Sequence, residues 1–397
     1  MINIEELPSL KNIAEVILSE GGSGQLIIFC IPTEDVWTKW KSILLNALKN
    51  RLNERGENEF WDTLAADNNS SSPQKDIAEF LGFDINSDLN EILTSYGSES
   101  PLIIELLCGE KLERPWENFI TNVARFFRVS DPYNTHRLIC IFLISPSLYP
   151  PIRINAGIRC YGFWNPIRFE ETRLLIAENF SEKENVMSLA WRISTYAGAA
   201  NFDPDLINRL SRNSPRSLSD VRAEVLKCRV QANKLGNGST IENRFFEEKR
   251  WDIPSGLIGK WLNGSLLGST LDRGNIIPWQ HISDHDFEKV FTRTIWREQV
   301  AGLYPLLMEI TSFTSEIVSK VMGEKWKNYL DSGGNTESET EPGTILDTFK
   351  NNRLGFLPNK IQKLLKQLRI VRNRLAHLEP VDFSDVKQIW ILFDKIS

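Results

Sequence analysis

Arg372, Asn373 and His377 are the residues of this chain whose types and spacing best suit chemistry. The chain holds only four histidines, and His377 is the one that stands beside a strongly basic stretch. From Lys360 to Arg374 the sequence KIQKLLKQLRIVRNR carries six basic residues and no acidic one. Histidine titrates near neutral pH, so it suits the movement of a hydroxyl proton or the protonation of a leaving oxygen. The forked guanidinium of arginine matches charge developing on a phosphate. Asn373 is placed to orient the imidazole or to bind a phosphate oxygen. These are the groups that metal-free cleavage of a ribose phosphodiester requires.

The element that must position them is an amphipathic helix. Ile361, Leu364, Leu365, Leu368 and Leu375 recur at helical spacing, and the expected helix runs over 359–375. Stepping by 4, 3, 4 and 3 from Ile361 places Arg372 on the apolar line. A guanidinium on a packing face is costly unless it meets an acid, a phosphate or a cleft at a subunit interface. His377 lies five positions further, roughly 140° round an ideal helix. The two side chains therefore converge only if the helix bends near Ala376, or if two chains pair about a twofold axis.

The flanking sequence agrees with a helical C-terminal part. A long helical pattern covers 286–322 with a break or kink expected near Pro305, and a further helix covers 384–396 with Ser384 as its candidate N-cap. Between the long pattern and the basic helix lies a polar, acidic stretch, DSGGNTESETEPG, at 331–343. Two long helices, an acidic loop and two shorter helices fit a four-helix bundle. The string Arg372-Asn-Arg-Leu-Ala-His-Leu-Glu-Pro380 resembles the signature of HEPN domains, and its abortive-infection branch in particular. The resemblance implies a helical domain that pairs as a homodimer, with Arg372, Asn373 and His377 as catalytic residues. It implies cleavage of tRNA or mRNA to a 2′,3′-cyclic phosphate and a 5′-hydroxyl, in prokaryotic antiviral defence or a toxin-like system. Lys363, Lys366, Arg369 and Arg374 are then expected to bind RNA in a salt-dependent, sequence-independent way. The rival expectation is an adaptor without activity that assembles a larger defence complex with a partner protein.

The first half of the chain reads differently. Apolar runs at 25–31, 101–107, 137–144 and 158–164 read as strands, separated by helical patterns at 35–52 and 116–127. Near-continuous apolar strands alternating with helices indicate a doubly wound, mostly parallel sheet. Residues 53–100 are polar and read as a surface insertion. Helices are expected over 169–180, 184–196, 204–210 and 219–232, the last capped by Ser219 or Ser217. The layout resembles the AAA+/STAND class of P-loop ATPases, with 169–235 as the helical lid and Pro215-Arg216 matching its Pro-Arg. An unrelated doubly wound domain accounts for the same pattern. A phosphate loop must follow a strand and open a helix, yet Gly21-Gly-Ser-Gly24 precedes the first strand. The segment after that strand, Ile31 to Trp37, has two carboxylates, no glycine and no lysine. The implied domain is a degenerate ATPase, a sensor or scaffold without nucleotide.

Composition narrows the rest. A net charge of -6 means that any RNA site must be a local basic patch. Five cysteines without a C-x-x-C pair, and an N-terminus without a signal-like pattern, lead us to expect a cytoplasmic protein. No apolar run approaches the ~18 residues of a membrane span. His281 and His285 in HISDHD lack a third histidine or paired cysteine, so Ser283 reads as a helix cap and no metal is expected. Trp37, Trp40, Trp279, Trp296 and Trp326 are expected as core or interface anchors. The expected organisation is an ATPase-like α/β domain over 1–168, the lid over 169–235, a linker at 234–239 and a HEPN-like all-α domain over 240–397.

Overall fold

In a computed structural model the described residues are 4–22, 26–32, 35–55, 62–95, 101–107, 112–129, 140–144, 158–163, 165–180, 184–232, 260–261, 266–270, 274–330, 341–352 and 354–396. They form a mixed α/β protein that divides into two compact units. One comprises 2–168 with 235–278, and the other 169–234 with 279–397. The expected linker at 234–239 lies outside the described residues.

The first unit is built on five strands: β1 (Leu26–Cys30), β2 (Asp62–Asp67), β3 (Leu102–Leu107), β4 (Cys140–Ile144) and β5 (Ile158–Gly162). Every pairing is parallel, in the order β2-β3-β4-β1-β5. The central strands read LIIFC and CIFLI, and each residue of both is buried. Because successive side chains leave opposite faces of a strand, both faces of β1 and β4 are covered. Each such aliphatic side chain stabilises the fold by about 1.5–3 kcal/mol relative to exposure. Helices α1 (Pro8–Gly22), α2 (Asp35–Glu54) and α5 (Arg114–Val129) carry the apolar partners. Trp37 and Trp40 of α2 are fully buried, with Phe163 edge-on at 5.7 and 6.4 Å, so both are core residues as expected. Burial pushes the Cys140 thiol far above its ordinary range.

Residues 53–100 correct the expected surface insertion. They contribute β2, α3 (Pro73–Phe80) and α4 (Leu89–Ser95), and β2 pairs in full register with β3 from Asp62↔Leu102 to Asp67↔Leu107. As an edge strand β2 is half exposed, and DTLAAD has a single β-branched residue, Thr63, and no aromatic one, unlike a central strand. Asn68, in the polar stretch after it, is buried, and its Oδ1 accepts the Glu113 amide.

A phosphate loop would follow β1, whereas Gly21 and Gly22 end α1, ahead of it. Glu105, midway along β3, is held by Lys41 of α2. A short hairpin, β6 (Gly268–Thr270) with β7 (Gly274–Ile276), adds two antiparallel strands where a strand-free second half was expected. The Asn165 side chain exchanges hydrogen bonds with the Ser269 backbone at 3.0 and 3.2 Å, and the Trp261 indole donates to Phe163 at 2.8 Å.

The second unit is helical: α6 (Phe169–Ala177), α7 (Val186–Ala200), α8 (Pro204–Asn213), α9 (Leu218–Ala232), α10 (Asp284–Met322), α11 (Pro342–Asn351), α12 (Asn359–Ala376) and α13 (Phe383–Phe393). The expected lid helices therefore pack with the C-terminal helices, and α7 lies along α10. Two glycines allow that approach. A Cβ on Gly302 would meet Ser194 Cβ at 2.9 Å, and one on Gly198 would meet Thr294 O at 3.1 Å. Of the break or kink expected near Pro305, the break is absent: α10 is one helix of 39 residues that includes Pro305, capped by Ser283, whose side chain accepts the Asp286 amide. For α9 the cap is Ser217, which accepts the Asp220 amide. For α13 it is Asp382, two residues ahead of the expected Ser384. The core of α11 and α12 gathers Ile345, Phe349, Ile361 and Leu365 with Val318 and Trp326.

Candidate functional site

The candidate site is the last turn of α12 and the chain that leaves it. The helix forms because Ile361, Leu364, Leu365, Leu368, Val371 and Leu375 give it a continuous buried stripe. Val371 takes the inward position beside Arg372, which leaves the guanidinium half-buried at the stripe's edge.

Three features stop the helix after Ala376. The Glu379 amide donates to Arg374 O at 2.9 Å, and the Leu378 amide to Leu375 O at 3.4 Å. This pair of bonds is a Schellman arrangement, which requires a left-handed residue at Leu378. Leu378 has φ 65, a conformation that glycine ordinarily supplies. Trp296 of α10 donates its indole N–H to the same Leu375 carbonyl, which lacks an i+4 amide at the helix end. Pro380 then prevents continuation.

Beyond the stop, Val381 is locked in place. The buried Gln299 of α10 accepts the Val381 amide through Oε1 at 2.7 Å and donates through Nε2 to its carbonyl at 2.9 Å. Trp191 of α7 donates to the same carbonyl at 2.8 Å, and Thr195 Oγ1 accepts a second Gln299 N–H at 2.9 Å. The tail of the motif is thereby fixed to α7 and α10.

Arg372 does meet an acid. Its Nη2 pairs with the Glu341 carboxylate, at the residue that precedes α11. Nη1 donates to Asn373 Oδ1 at 3.3 Å. The buried Nε has no hydrogen-bond partner among the described residues. Asn373 thus orients the arginine rather than the histidine. His377 is the C-cap residue, and its backbone amide donates to Asn373 O at 3.0 Å. Its side chain is exposed, and no hydrogen bond to the imidazole is formed among the described residues. Within one chain a side-chain hydrogen bond joins Arg372 to Asn373, and none joins the His377 imidazole to either among the described residues.

The expected RNA-binding residues divide into two sets. Lys363 and Lys366 are exposed and have no carboxylate partner among the described residues. Arg369 pairs with Asp347 of α11 at 3.5 Å, and Arg374 with Asp385 of α13 at 2.7 Å. Glu379 lies 3.8 Å from Arg374 as well.

Gln299 is the residue that sequence reasoning missed; Trp296 was expected only as an anchor, and Glu341 only as part of the acidic stretch at 331–343. Glu341-Pro342 carried a signal, since proline is favoured at the first position of a helix. Gln299 gave none, being a single polar residue within a long amphipathic pattern. Among the described residues no group of histidine, cysteine and carboxylate side chains could hold a metal ion, and no helix is long and apolar enough to cross a membrane. No protein-family model matches the chain, and no curated protein matches it.

Proposed function

We propose that this protein is a metal-independent endoribonuclease of HEPN type, working in prokaryotic antiviral defence or a toxin-like system. Its α10–α13 helices are the HEPN-like four-helix bundle of the reading. Arg372 stabilises the charge on the scissile phosphate, Asn373 orients Arg372, and His377 moves the proton. The observation that carries this reading is the state of Arg372. It is half-buried, aligned by Asn373, and has an Nε donor without an acceptor. An unsatisfied buried donor costs about 1–3 kcal/mol, and a phosphate oxygen would satisfy it once a local rearrangement opens the shielded Nε. The exposed Lys363 and Lys366 on the same helix supply the electrostatic attraction. The resemblance to HEPN domains implies a homodimer, and on this reading the working site forms between two copies, each able to supply Arg372 or His377.

The Glu341–Arg372 pair makes the state described here a resting one. A carboxylate on the phosphate-binding guanidinium competes with substrate, and Glu341 belongs to the acidic stretch at 331–343. Release of that carboxylate frees the arginine for RNA.

The first unit fits a degenerate, doubly wound ATPase-like sensor without bound nucleotide. In an open parallel sheet, ligands sit beyond the carboxyl ends of the strands where the connections diverge. Here that point is between β4 and β1, whose chain paths leave toward opposite edges. The β1–α2 turn at that point offers neither glycine nor lysine. No secretory or membrane role is invoked, and the proposed setting is cytoplasmic.

The same ion pair favours a second reading, a non-enzymatic adaptor in which Arg372 serves only to fasten α12 to Glu341. Incubation of the protein with total tRNA in EDTA separates the two. On the nuclease reading RNA is cut, and Arg372→Ala and His377→Ala abolish cutting while far-UV circular dichroism stays unchanged. Cleavage that survives both substitutions would overturn it.

A further inference from the structure

A groove of about 780 Å³ runs between α11 and α12, beside the candidate site. Phe356 and Ile370 stand at its surface, 99% and 50% exposed, and Gly355, with φ 98, turns the chain just before Phe356. Lys350, Lys366 and Arg369 line it with a single carboxylate, Asp347, which already pairs with Arg369. Lys350 and Lys366 have no carboxylate partner among the described residues. Gln362 adds an amide able both to donate and to accept.

The groove leads to Arg372. Arg369 and Arg372 are three residues apart on one helix face, about 4.5 Å along the axis. At the same end, a Cβ on Gly343 would lie 3.4 Å from Arg369 Nε, and Glu341, two residues earlier, holds Arg372.

We propose that this groove is a single-stranded RNA subsite. It seats the nucleotides next to the phosphate at Arg372, with one base stacked on Phe356 and the backbone held by Lys350, Lys366 and Arg369. The inference rests on the nuclease reading for its choice of ligand. Both an RNA strand and an acidic peptide would satisfy the cations. A peptide helix in a groove needs apolar sockets repeated along several turns, whereas only Phe356 and Ile370 are exposed large apolar residues of this lining. One free aromatic face among lysines is instead what a stacked base uses.

The test uses the full chain carrying His377→Ala, in EDTA, with a fluorescent single-stranded RNA oligonucleotide and anisotropy as the readout. Phe356→Ala should weaken binding about tenfold, in line with the loss of one stacked base. Lys366→Ala should lower the slope of log affinity against log salt by about 0.7. Duplex RNA should compete poorly. Phe356 is fully exposed, so its loss does not threaten the fold. Unchanged affinity in Phe356→Ala overturns the subsite, even if the unsubstituted protein cuts RNA. Equal displacement of the oligonucleotide by an acidic amphipathic peptide overturns it in favour of a protein partner. Phe356-dependent binding by a protein that never cuts RNA supports the subsite and removes the nuclease reading instead.

Discussion

The Glu341 carboxylate closes on the guanidinium of Arg372, so the residue best suited to bind a phosphate is occupied by an acid of its own chain. Both side chains are partly exposed, at 26% for Arg372 and 44% for Glu341, so the pair contributes at most about 1 kcal/mol to stability. Its larger consequence is competition with an anionic ligand. Glu341→Gln should therefore raise RNA affinity while leaving the midpoint of thermal unfolding nearly unchanged, as calorimetry and anisotropy would show. A large drop in stability would mean that the pair is structural.

Leu378 holds a left-handed conformation at the end of α12 without the freedom of a glycine. A left-handed L-residue costs roughly 1–2 kcal/mol, and the Leu378 side chain is 60% exposed, so little packing is lost on its removal. Leu378→Gly should stabilise the fold by about 1 kcal/mol, after allowance for the greater entropy of glycine in the unfolded chain. Urea unfolding measures this. Destabilisation would show that the side chain makes a contact that outweighs the backbone strain.

Gln299 is fully buried and holds both polar groups of Val381. Gln299→Leu leaves the Val381 amide without its acceptor, at a cost of about 1–3 kcal/mol. It should also loosen the segment after His377, visible as faster hydrogen exchange at Leu378 to Val381. Unaltered exchange there would show that Trp191 and Pro380 suffice.

The α7–α10 contact depends on small residues. Gly302→Val would drive a branched side chain into Ser194, whose Cβ is only 2.9 Å from the position of an added Cβ. Overpacking of this kind costs about 1–3 kcal/mol. The same substitution at the exposed Gly323 is no control, because its φ of 79 disfavours side chains in itself. The exposed Ala301→Val serves better and should cost well under 1 kcal/mol.

The elements legible in the sequence were those with a strong period. The buried runs of β1, β3 and β4, the apolar run of β5 and the stripe of α12 appear within a residue or three of their expected bounds. The edge strand β2 was hidden by its alanines and terminal aspartates, since half-burial leaves a weaker pattern than full burial. Pro305 was expected to interrupt or kink α10 because proline removes a backbone donor, yet packing against α7 and α12 sustains one helix through it. At the candidate site the oddity of Arg372 on an apolar line was legible, and so was its need for an anion. The identity of that anion was not. Glu341 is 31 residues away in sequence, and only the antiparallel packing of α11 on α12 brings it near.

The measurement that tests the central claim most directly compares Glu341→Gln with the double variant Glu341→Gln/His377→Ala on total tRNA in EDTA, with product ends identified by mass spectrometry. The account predicts that the single variant cuts RNA to 2′,3′-cyclic phosphate and 5′-hydroxyl ends, faster than the unsubstituted protein, and that the double variant does not cut. Cleavage by both variants, or by neither with Arg372 free and the fold intact, would contradict it.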